Sequence, residues 1–323
     1  MDPLFFQMQH IPQADLNEFL SDDPVRKTAF VQQIGEAFQE IGFLALKGHF
    51  LDAVLQEELY REIRNFFELP PEIKSSYEVK DGGGQRGYTG FGKEHAAGRT
   101  VGDLKEFWHF GQDLENKPFL KDNYPDNLNV KELENFNSVG NLVFLKLEET
   151  AKVVLQALAL YLKLDEHFFD EFIEGGNSIL RAIHYPPITE APKEAERAAA
   201  HGDINLITLL MGAQGGGLQV LNRQNQWIDA VAEPDELMIN IGDMLSRLTN
   251  NLLPSTIHRV VNPPQEQWAN SRYSLPFFMH PIPQMPLNCL AETVDETHPK
   301  QYDDILAGAF LHQRLVDLGL FKK

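Results

Sequence analysis

The chain has 323 residues, of which 43% are hydrophobic and 23% charged, so it can bury a large core as one domain or two closely packed ones. Its 47 acidic residues outnumber its 28 basic residues, and the net charge of −19 provides no basic footprint for nucleic acid. Cys289 is the only cysteine, which excludes an internal disulfide and favours a reducing compartment, the cytoplasm. The chain start lacks a signal-peptide pattern and no apolar stretch approaches membrane-spanning length, so we expect no membrane partner.

The first part of the chain predicts a helix–strand–helix unit after an irregular lead-in with one short strand over residues 1–20. A helix should begin at Asp22-Asp23-Pro24, where acidic side chains meet the positive helix end, and should stop at Gly42. Residues 43–46 predict a strand, and residues 51–67 predict a second helix that ends before two prolines.

A glycine-rich segment follows over residues 81–113. Gly82-Gly83-Gly84 predicts a loop, and the aromatic run from Lys105 to Phe110 predicts a strand. Arg86 and Tyr88 lie between these two features.

The second part of the chain combines a long helix with many strands. Residues 114–130 predict a connector, and apolar residues at helical spacing predict a helix over residues 131–163. Strands are expected from about residue 178 to 280, with turns at glycine- and asparagine-rich positions. A terminal helix is predicted from Tyr302 to about Leu318.

Three residues in the strand-rich part predict a metal site. Side chains two residues apart on a strand point the same way, so His201 and Asp203 should project together, and His258 should add a second imidazole from another strand. Two histidines and one carboxylate form the facial triad that binds Fe(II) in non-haem oxygenases. Taken singly, each residue is more often a surface or core residue, and only their order and spacing favour the metal site.

Arg272 and Ser274 should likewise share one face of a strand that begins 14 residues after His258. The segments around these motifs are also informative. With them, the chain resembles the isopenicillin N synthase-like group of 2-oxoglutarate/Fe(II)-dependent dioxygenases. The similar segments are Gly215–Leu221, Leu237–Asp243, Arg272–Phe278, Gly42-Phe43 and Gly48-His49.

The resemblance implies a mainly β fold with helices, in which a double-stranded β-helix, or jelly roll, is flanked by N-terminal helices, a long central helix and a C-terminal helix. Residues 1–113 would form the N-terminal region packed on the core, and residues 114–323 the dioxygenase domain. The enzyme would use Fe(II), 2-oxoglutarate and O₂, and would release succinate and CO₂ while it oxidises, most simply by hydroxylation, a small molecule.

The resemblance also implies roles for single residues. Iron would be held by His201, Asp203 and His258. The distal carboxylate of 2-oxoglutarate would meet Arg272, whose planar fork suits a bidentate pair, with Ser274 and Tyr185 as further contacts. The family often has Asn two residues before that tyrosine, where this chain has Ile183, so one polar contact to the cosubstrate would be lost.

The glycine-rich segment would line the substrate side of the pocket. Arg86 and Tyr88 match positions where isopenicillin N synthase meets its peptide substrate, and Lys105 and Trp108 lie in the same region. These residues suggest a substrate with an anionic group, although a solvated glycine-rich loop explains them equally well. We expect no nucleic-acid, membrane or protein partner.

Three alternatives remain open at this point. An oxidase of the same fold could use Arg272 and Ser274 for a carboxylate of its own substrate, without 2-oxoglutarate. A Zn²⁺ hydrolase could use the three ligands and a water, and a binding module could keep the scaffold without catalysis. The identity of the substrate, the reaction outcome and the oligomeric state are not determined by the sequence.

Overall fold

The computed structural model describes residues 10–79, 85–93, 105–114, 117, 120, 124–189, 197–214 and 216–317. Its helices are α1 Leu16–Phe19, α2 Pro24–Ile41, α3 Ala53–Phe67, α4 Pro71–Ser76, α5 Phe136–Tyr161, α6 Asp170–Ile173, α7 Asp243–Leu248 and α8 Ala307–Asp317. Its strands are β1 Gln13–Asp15, β2 Phe43–Lys47, β3 Gly87–Thr89, β4 Glu106–Phe110, β5 Ile179–Tyr185, β6 Ala198–His201, β7 Ile207–Gln214, β8 Leu218–Leu221, β9 Trp227–Asp229, β10 Leu237–Ile241, β11 His258–Val260 and β12 Arg272–Met279.

The predicted ends of α2 are confirmed, and the local chemistry explains both. The Asp23 carboxylate accepts a hydrogen bond from the backbone N–H of Val25, and Pro24 occupies the first helical position, where its missing N–H costs nothing. Gly42 closes the helix in a left-handed conformation with φ of 69°, which glycine adopts without steric penalty.

The predicted long helix is also confirmed, although α5 begins five residues later than expected. Asn137 explains the delay, because its side chain accepts a hydrogen bond from Val130 N and donates one to Leu128 O. These bonds hold the preceding segment in a turn. Residues of the predicted stripe, such as Leu147 and Val154, are fully buried, and α5 packs against α2, α3 and β12.

The terminal helix α8 is shorter than the prediction, which ran from Tyr302 to Leu318. Backbone hydrogen bonds from Leu287 N to Ile305 O and from Ala307 N to Met285 O keep the segment before Ala307 extended. Leu318 lies outside the described residues, as do Gly82–Gly84 and Gly215. Within the described ranges, the structure contains no helix long and apolar enough to cross a membrane.

The strands form two sheets. The major sheet has the order β1-β2-β10-β7-β12-β5-β4-β3, and the minor sheet has the order β6-β11-β8-β9. An apolar cluster contains residues of both sheets, including Phe43, Met238, Val220 and Val260, so the sheets pack face to face. This arrangement, with helices on the outer face of the major sheet, confirms the predicted jelly-roll core.

The strands before residue 113 belong to the same major sheet as those after it. β2 pairs with β10, and β4 pairs with β5, so hydrogen bonds cross the predicted division at both edges of the barrel. The division of the chain into residues 1–113 and 114–323 stays a prediction.

Candidate active site

The three predicted metal ligands converge where the minor sheet meets the major one. His201 ends β6 and is paired in register with His258 at the start of β11, so residues 57 positions apart become neighbours. Asp203 Oδ1 lies 4.0 Å from His201 Nε2 and 3.8 Å from His258 Nε2. The three ligand atoms all fall within 4.8 Å of one another, which suits a single ion held between them.

Hydrogen bonds orient both imidazoles for metal binding. His201 Nδ1 lies 2.7 Å from Ala199 O, and His258 Nδ1 lies 3.1 Å from Thr256 O. A carbonyl only accepts, so each Nδ1 carries the proton and each Nε2 presents its lone pair to the site. The edge of Phe43 also packs against the His258 ring, with centroids 5.5 Å apart.

Hydrogen bonds also fix the orientation of the Asp203 carboxylate. Its Oδ2 accepts hydrogen bonds from Thr208 Oγ1 at 2.6 Å and from Asn240 Nδ2 at 2.8 Å, which leaves Oδ1 for the ion. Burial would raise the pKa of Asp203, but the two imidazoles and these two donors outweigh it and hold the pKa below its usual value. The carboxylate is therefore ionised at neutral pH, and with the two imidazole nitrogens it forms a donor set that fits Fe(II).

Arg272 lies on the face of the major sheet that carries this centre. Thr208, which donates to Asp203, is paired with Phe278 in β12, and Phe278 is an even number of residues from Arg272 on the same strand. We call this side of the sheet the inner face. Ser274, two residues after Arg272, shares it.

The arginine is positioned by the neighbouring strand. Arg272 is paired with Tyr185 in β5, is 1% exposed, and places its guanidinium carbon 5.1 Å from the centre of the Tyr185 ring. A cavity of about 150 Å³, with apolar walls such as Leu210 and Met238, opens beside it. The Arg272 guanidinium, which lines this cavity, and the Ser274 hydroxyl are groups that can donate hydrogen bonds to a carboxylate.

The structure separates the four residues that sequence suggested for the substrate side. Lys105 precedes β4, whose residue Phe107 is paired with Ile183, so alternation places Lys105 and Phe107 on the inner face. Trp108 points the other way and packs against Phe66 and Phe136, with ring centroids 4.9 and 5.2 Å apart.

Tyr88 is paired with Trp108 and lies on the same outer face. Its hydroxyl donates to the Glu106 carboxylate within a buried polar cluster. Trp108 and Tyr88 are therefore parts of the core beneath the helices, and the structure does not bring them to the metal side.

Arg86 is 1% exposed and reaches the inner side at the mouth of the barrel. A side chain at Gly111 would place its Cβ only 1.9 Å from the Arg86 guanidinium carbon, so the guanidinium lies directly over this glycine. Gly111 follows His109 by two residues, which puts the guanidinium on the inner side. Arg86 also donates to Gln85 O at 2.7 Å and to Asn177 Oδ1 at 3.4 Å.

Sequence reasoning missed an inner-face pair formed by Arg181 and His109. Arg181 Nε donates to His109 Nε2 at 2.6 Å, and the guanidinium carbon lies 4.4 Å from the Phe107 ring centre and 5.4 Å from that of Phe278. Counting back by twos from Tyr185 would have placed Arg181 on the same face.

The reasoning also missed Arg197, a buried arginine just before β6. It stands four residues before His201, and no motif marks it in the sequence.

Comparisons with known proteins identify the family of the chain. A family model described as the N-terminal region of a non-haem dioxygenase in morphine synthesis matches residues 11–132, and the 2OG-Fe(II) oxygenase superfamily model matches residues 176–281. A 2-oxoglutarate-Fe(II) type oxidoreductase of Aspergillus fumigatus is 32% identical over 302 residues, covering 90% of this chain and 88% of the relative.

Two solved structures extend the likeness to three dimensions. A 2OG-Fe(II) oxygenase family protein from Caulobacter crescentus is 42% identical with a TM-score of 0.86, covering 95% of this chain and 99% of that one. A full-length Neurospora crassa protein, solved in complex with alpha-KG and thymine, is 30% identical with a TM-score of 0.83, covering 95% and 96% of the two chains. The chain belongs to the 2OG-Fe(II) oxygenase family and is an iron- and 2-oxoglutarate-dependent oxidoreductase.

Proposed function

We propose that the enzyme hydroxylates a small organic anion at a site built from His201, Asp203 and His258. The balanced reaction consumes one 2-oxoglutarate and one O₂ per substrate and yields succinate, CO₂ and the hydroxylated product. The observation that carries the proposal is the convergence of two correctly oriented imidazoles and one ionised carboxylate on a single point. Iron, when bound, supplies the oxidation chemistry, and the residues of the chain supply position and exclusion of water.

The cosubstrate is held at two ends in this proposal. Its 2-oxo acid end meets the metal, and its distal carboxylate meets the guanidinium of Arg272. Ser274 donates its hydroxyl to the same carboxylate, and the Tyr185 ring fixes the guanidinium plane from one side. A charge-assisted pair formed in a buried site is among the strongest contacts that a protein can offer.

Arg86 supports an anionic substrate. Burial lowers the pKa of Arg86 to about 10, but the group stays protonated at neutral pH. No carboxylate among the described residues pairs with Arg86, and its Nε has no hydrogen-bond partner there. A buried charge without a counter-ion is costly, so an anionic substrate group would stabilise it.

Relatives and composition add weaker support. The Neurospora crassa protein was crystallised with thymine, a small molecule, in a fold that closely matches this one. The single free cysteine supports placing the reaction in a reducing compartment such as the cytoplasm.

The test compares two alanine variants, one at a proposed metal ligand and one at a matched control residue. Asp203→Ala should bind little iron and produce no succinate, because the two imidazoles alone leave the proposed site without its carboxylate ligand. Asp229→Ala removes an exposed carboxylate from β9 of the minor sheet and should retain both properties. Iron content and succinate formation are measured on purified protein. Full turnover by Asp203→Ala at normal iron occupancy would refute the assignment.

A further inference from the structure

A second arginine lies beside the proposed anchor of the cosubstrate. Arg197 is 4% exposed, and its guanidinium carbon lies 5.8 Å from the centre of the Tyr185 ring. The guanidinium carbon of Arg272 lies 5.1 Å from the same centre. Two buried guanidiniums therefore share one aromatic ring at the end of the barrel away from the metal.

The hydrogen bonds of Arg197 leave much of its donor capacity unused. Its Nη2 donates to Asn270 O at a long 3.4 Å, and its buried Nε has no partner in the described part of the chain. None of the described carboxylates forms an ion pair with it. Burial, and then repulsion from Arg272, lowers the pKa of Arg197 to about 10.

An anion placed between the two guanidiniums would stabilise this arrangement. Two like charges in a desolvated place repel each other, and an unpaired buried charge loses its hydration without compensation. A carboxylate beside Tyr185 would relieve both costs, since each of its two oxygens can accept from a different guanidinium.

One inner-face position of β5, next to Ser274, offers no hydrogen-bond donor. Ile183 is paired with Ser274 on the inner face, and its side chain cannot donate a hydrogen bond. Arg197, which directly precedes β6 of the minor sheet, adds a guanidinium donor beside the Tyr185 ring.

We propose that Arg197 and Arg272 together form a two-guanidinium site for the distal carboxylate of 2-oxoglutarate. The proposal rests on the assignment of Arg272 made above and adds a second cationic contact from the opposite sheet. Arg197 stands four residues before His201, roughly 13 Å along an extended strand, so it belongs to the distal end of the cosubstrate and not to the metal.

The experiment compares two ligands that differ only in the distal carboxylate. 2-Oxoglutarate and 2-oxopentanoate are titrated by calorimetry into the Fe(II)-loaded enzyme without oxygen, and each ligand-induced rise in Tm is recorded. The proteins are wild type, Arg197→Ala, Arg197→Lys, Arg272→Ala and Arg259→Ala. Arg259 is the matched control, because it stacks 4.1 Å from the Trp227 ring and alternates away from the metal ligand His258.

Arg197→Ala should raise the Kd for 2-oxoglutarate roughly tenfold, the effect of one hydrogen bond to a charged group. The Kd for 2-oxopentanoate should change less than about twofold, because that ligand lacks the carboxylate. Arg197→Lys should recover part of the loss, since the charge remains without the planar fork. Arg259→Ala should leave both constants unchanged, and the Tm gain from 2-oxoglutarate should shrink only in the Arg197 and Arg272 variants.

The outcomes separate this proposal from the earlier one. If Arg272→Ala weakens 2-oxoglutarate and Arg197→Ala does not, the two-guanidinium site is wrong and the role of Arg272 stands. If neither variant matters, the Arg272 assignment also fails. Equal losses for both ligands in Arg197→Ala would mean a purely structural role and would overturn the proposal. If Arg197→Ala fails to fold, the ratio of the two constants in Arg197→Lys decides the same question.

Discussion

The two faces of the major sheet carry different arrangements of buried charged groups. On the outer face, Glu106 receives hydrogen bonds from Lys74 at 2.9 and 3.0 Å, from His184 at 2.8 Å and from the hydroxyl of Tyr88. Every member of this cluster has its counterpart within the protein. On the inner face, the guanidiniums of Arg272 and Arg197 both lie against the Tyr185 ring.

Adjacent residues of one strand fall on these different sides. His184 and Tyr185 are neighbours in β5. His184 belongs to the outer polar cluster, whereas the Tyr185 ring contacts the guanidiniums of Arg197 and Arg272. Burial alone therefore does not distinguish a structural polar residue from a functional one. In the proposal above, the charge that complements the inner pair arrives with a ligand, whereas Glu106 and Lys74 compensate each other within the protein.

Of the predicted effects, the loss of stability on removing Glu106 from the outer face should be the largest. Glu106→Ala leaves the buried Lys74 ammonium without its carboxylate, which should lower the free energy of unfolding by about 3–5 kcal/mol. Chemical denaturation at pH 7 measures the loss. The Kd for 2-oxoglutarate in the folded fraction should change little, and a variant of wild-type stability would contradict the structural role.

The same prediction has a pH dependence. Burial would raise the pKa of Glu106, but His184, Tyr88 and Lys74 outweigh it and hold the folded-state pKa below the ordinary 4.5. The carboxylate therefore stabilises the fold above pH 4.5, and this contribution is lost as the pH falls through the lowered value. The stability difference between wild type and Glu106→Ala should narrow over that acidic range.

Removing Arg272 should affect the inner face in the opposite manner. Arg272→Ala should raise the Kd for 2-oxoglutarate by roughly 30-fold or more, because a carboxylate left in a desolvated site loses about 2–5 kcal/mol. Arg272→Lys should recover part of this loss. Anaerobic titration gives the constants, and iron binding should stay normal because Arg272 is not a ligand. A parallel loss of iron would show that the arginine supports the metal centre instead.

Arg86→Ala should have the smallest of the three effects. It tests whether a second buried guanidinium on the inner side binds the substrate and not the cosubstrate. The KM for the anionic substrate should rise roughly tenfold, as expected for one charged hydrogen bond, while the KM for 2-oxoglutarate stays within about twofold. Lys93→Ala, which removes an exposed cation paired with Glu78, is the control from the same region. A rise confined to the 2-oxoglutarate constant would contradict a contact with the substrate.

The convergence of His201, Asp203 and His258 was accessible from their order and spacing in the sequence, and the shared face of Arg272 and Ser274 follows the two-residue alternation of β12. The sequence also predicted the helix bounded by Asp23 and Gly42, since both ends carry strong local signals. Arg197 was not accessible, because its neighbours Tyr185 and Arg272 meet it only when the two sheets pack together. No local pattern encodes that contact.

The placement of Trp108 and Tyr88 failed for a different physical reason. All five residues of β4 are buried, so polar and apolar residues do not alternate along it and neither face is marked as the interior. Glu106 and Trp108 lie toward the helices, whereas Phe107 and His109 lie toward the metal. Only the pairing of β4 with β5 resolves which set is which.

The seam between β2 and the loop before β11 ties distant parts of the chain together. Thr256 Oγ1 donates to Ile41 O at 2.7 Å, and Phe43 packs against the ring of His258. β2 also covers the edge of β10, which would otherwise present unpaired backbone groups to other molecules. Deletion of the first hundred residues would thus expose the backbone hydrogen-bonding groups of β10. It would also remove the Phe43 ring that packs against His258. Strand β2 is therefore an integral part of the barrel and supports the proposed metal site.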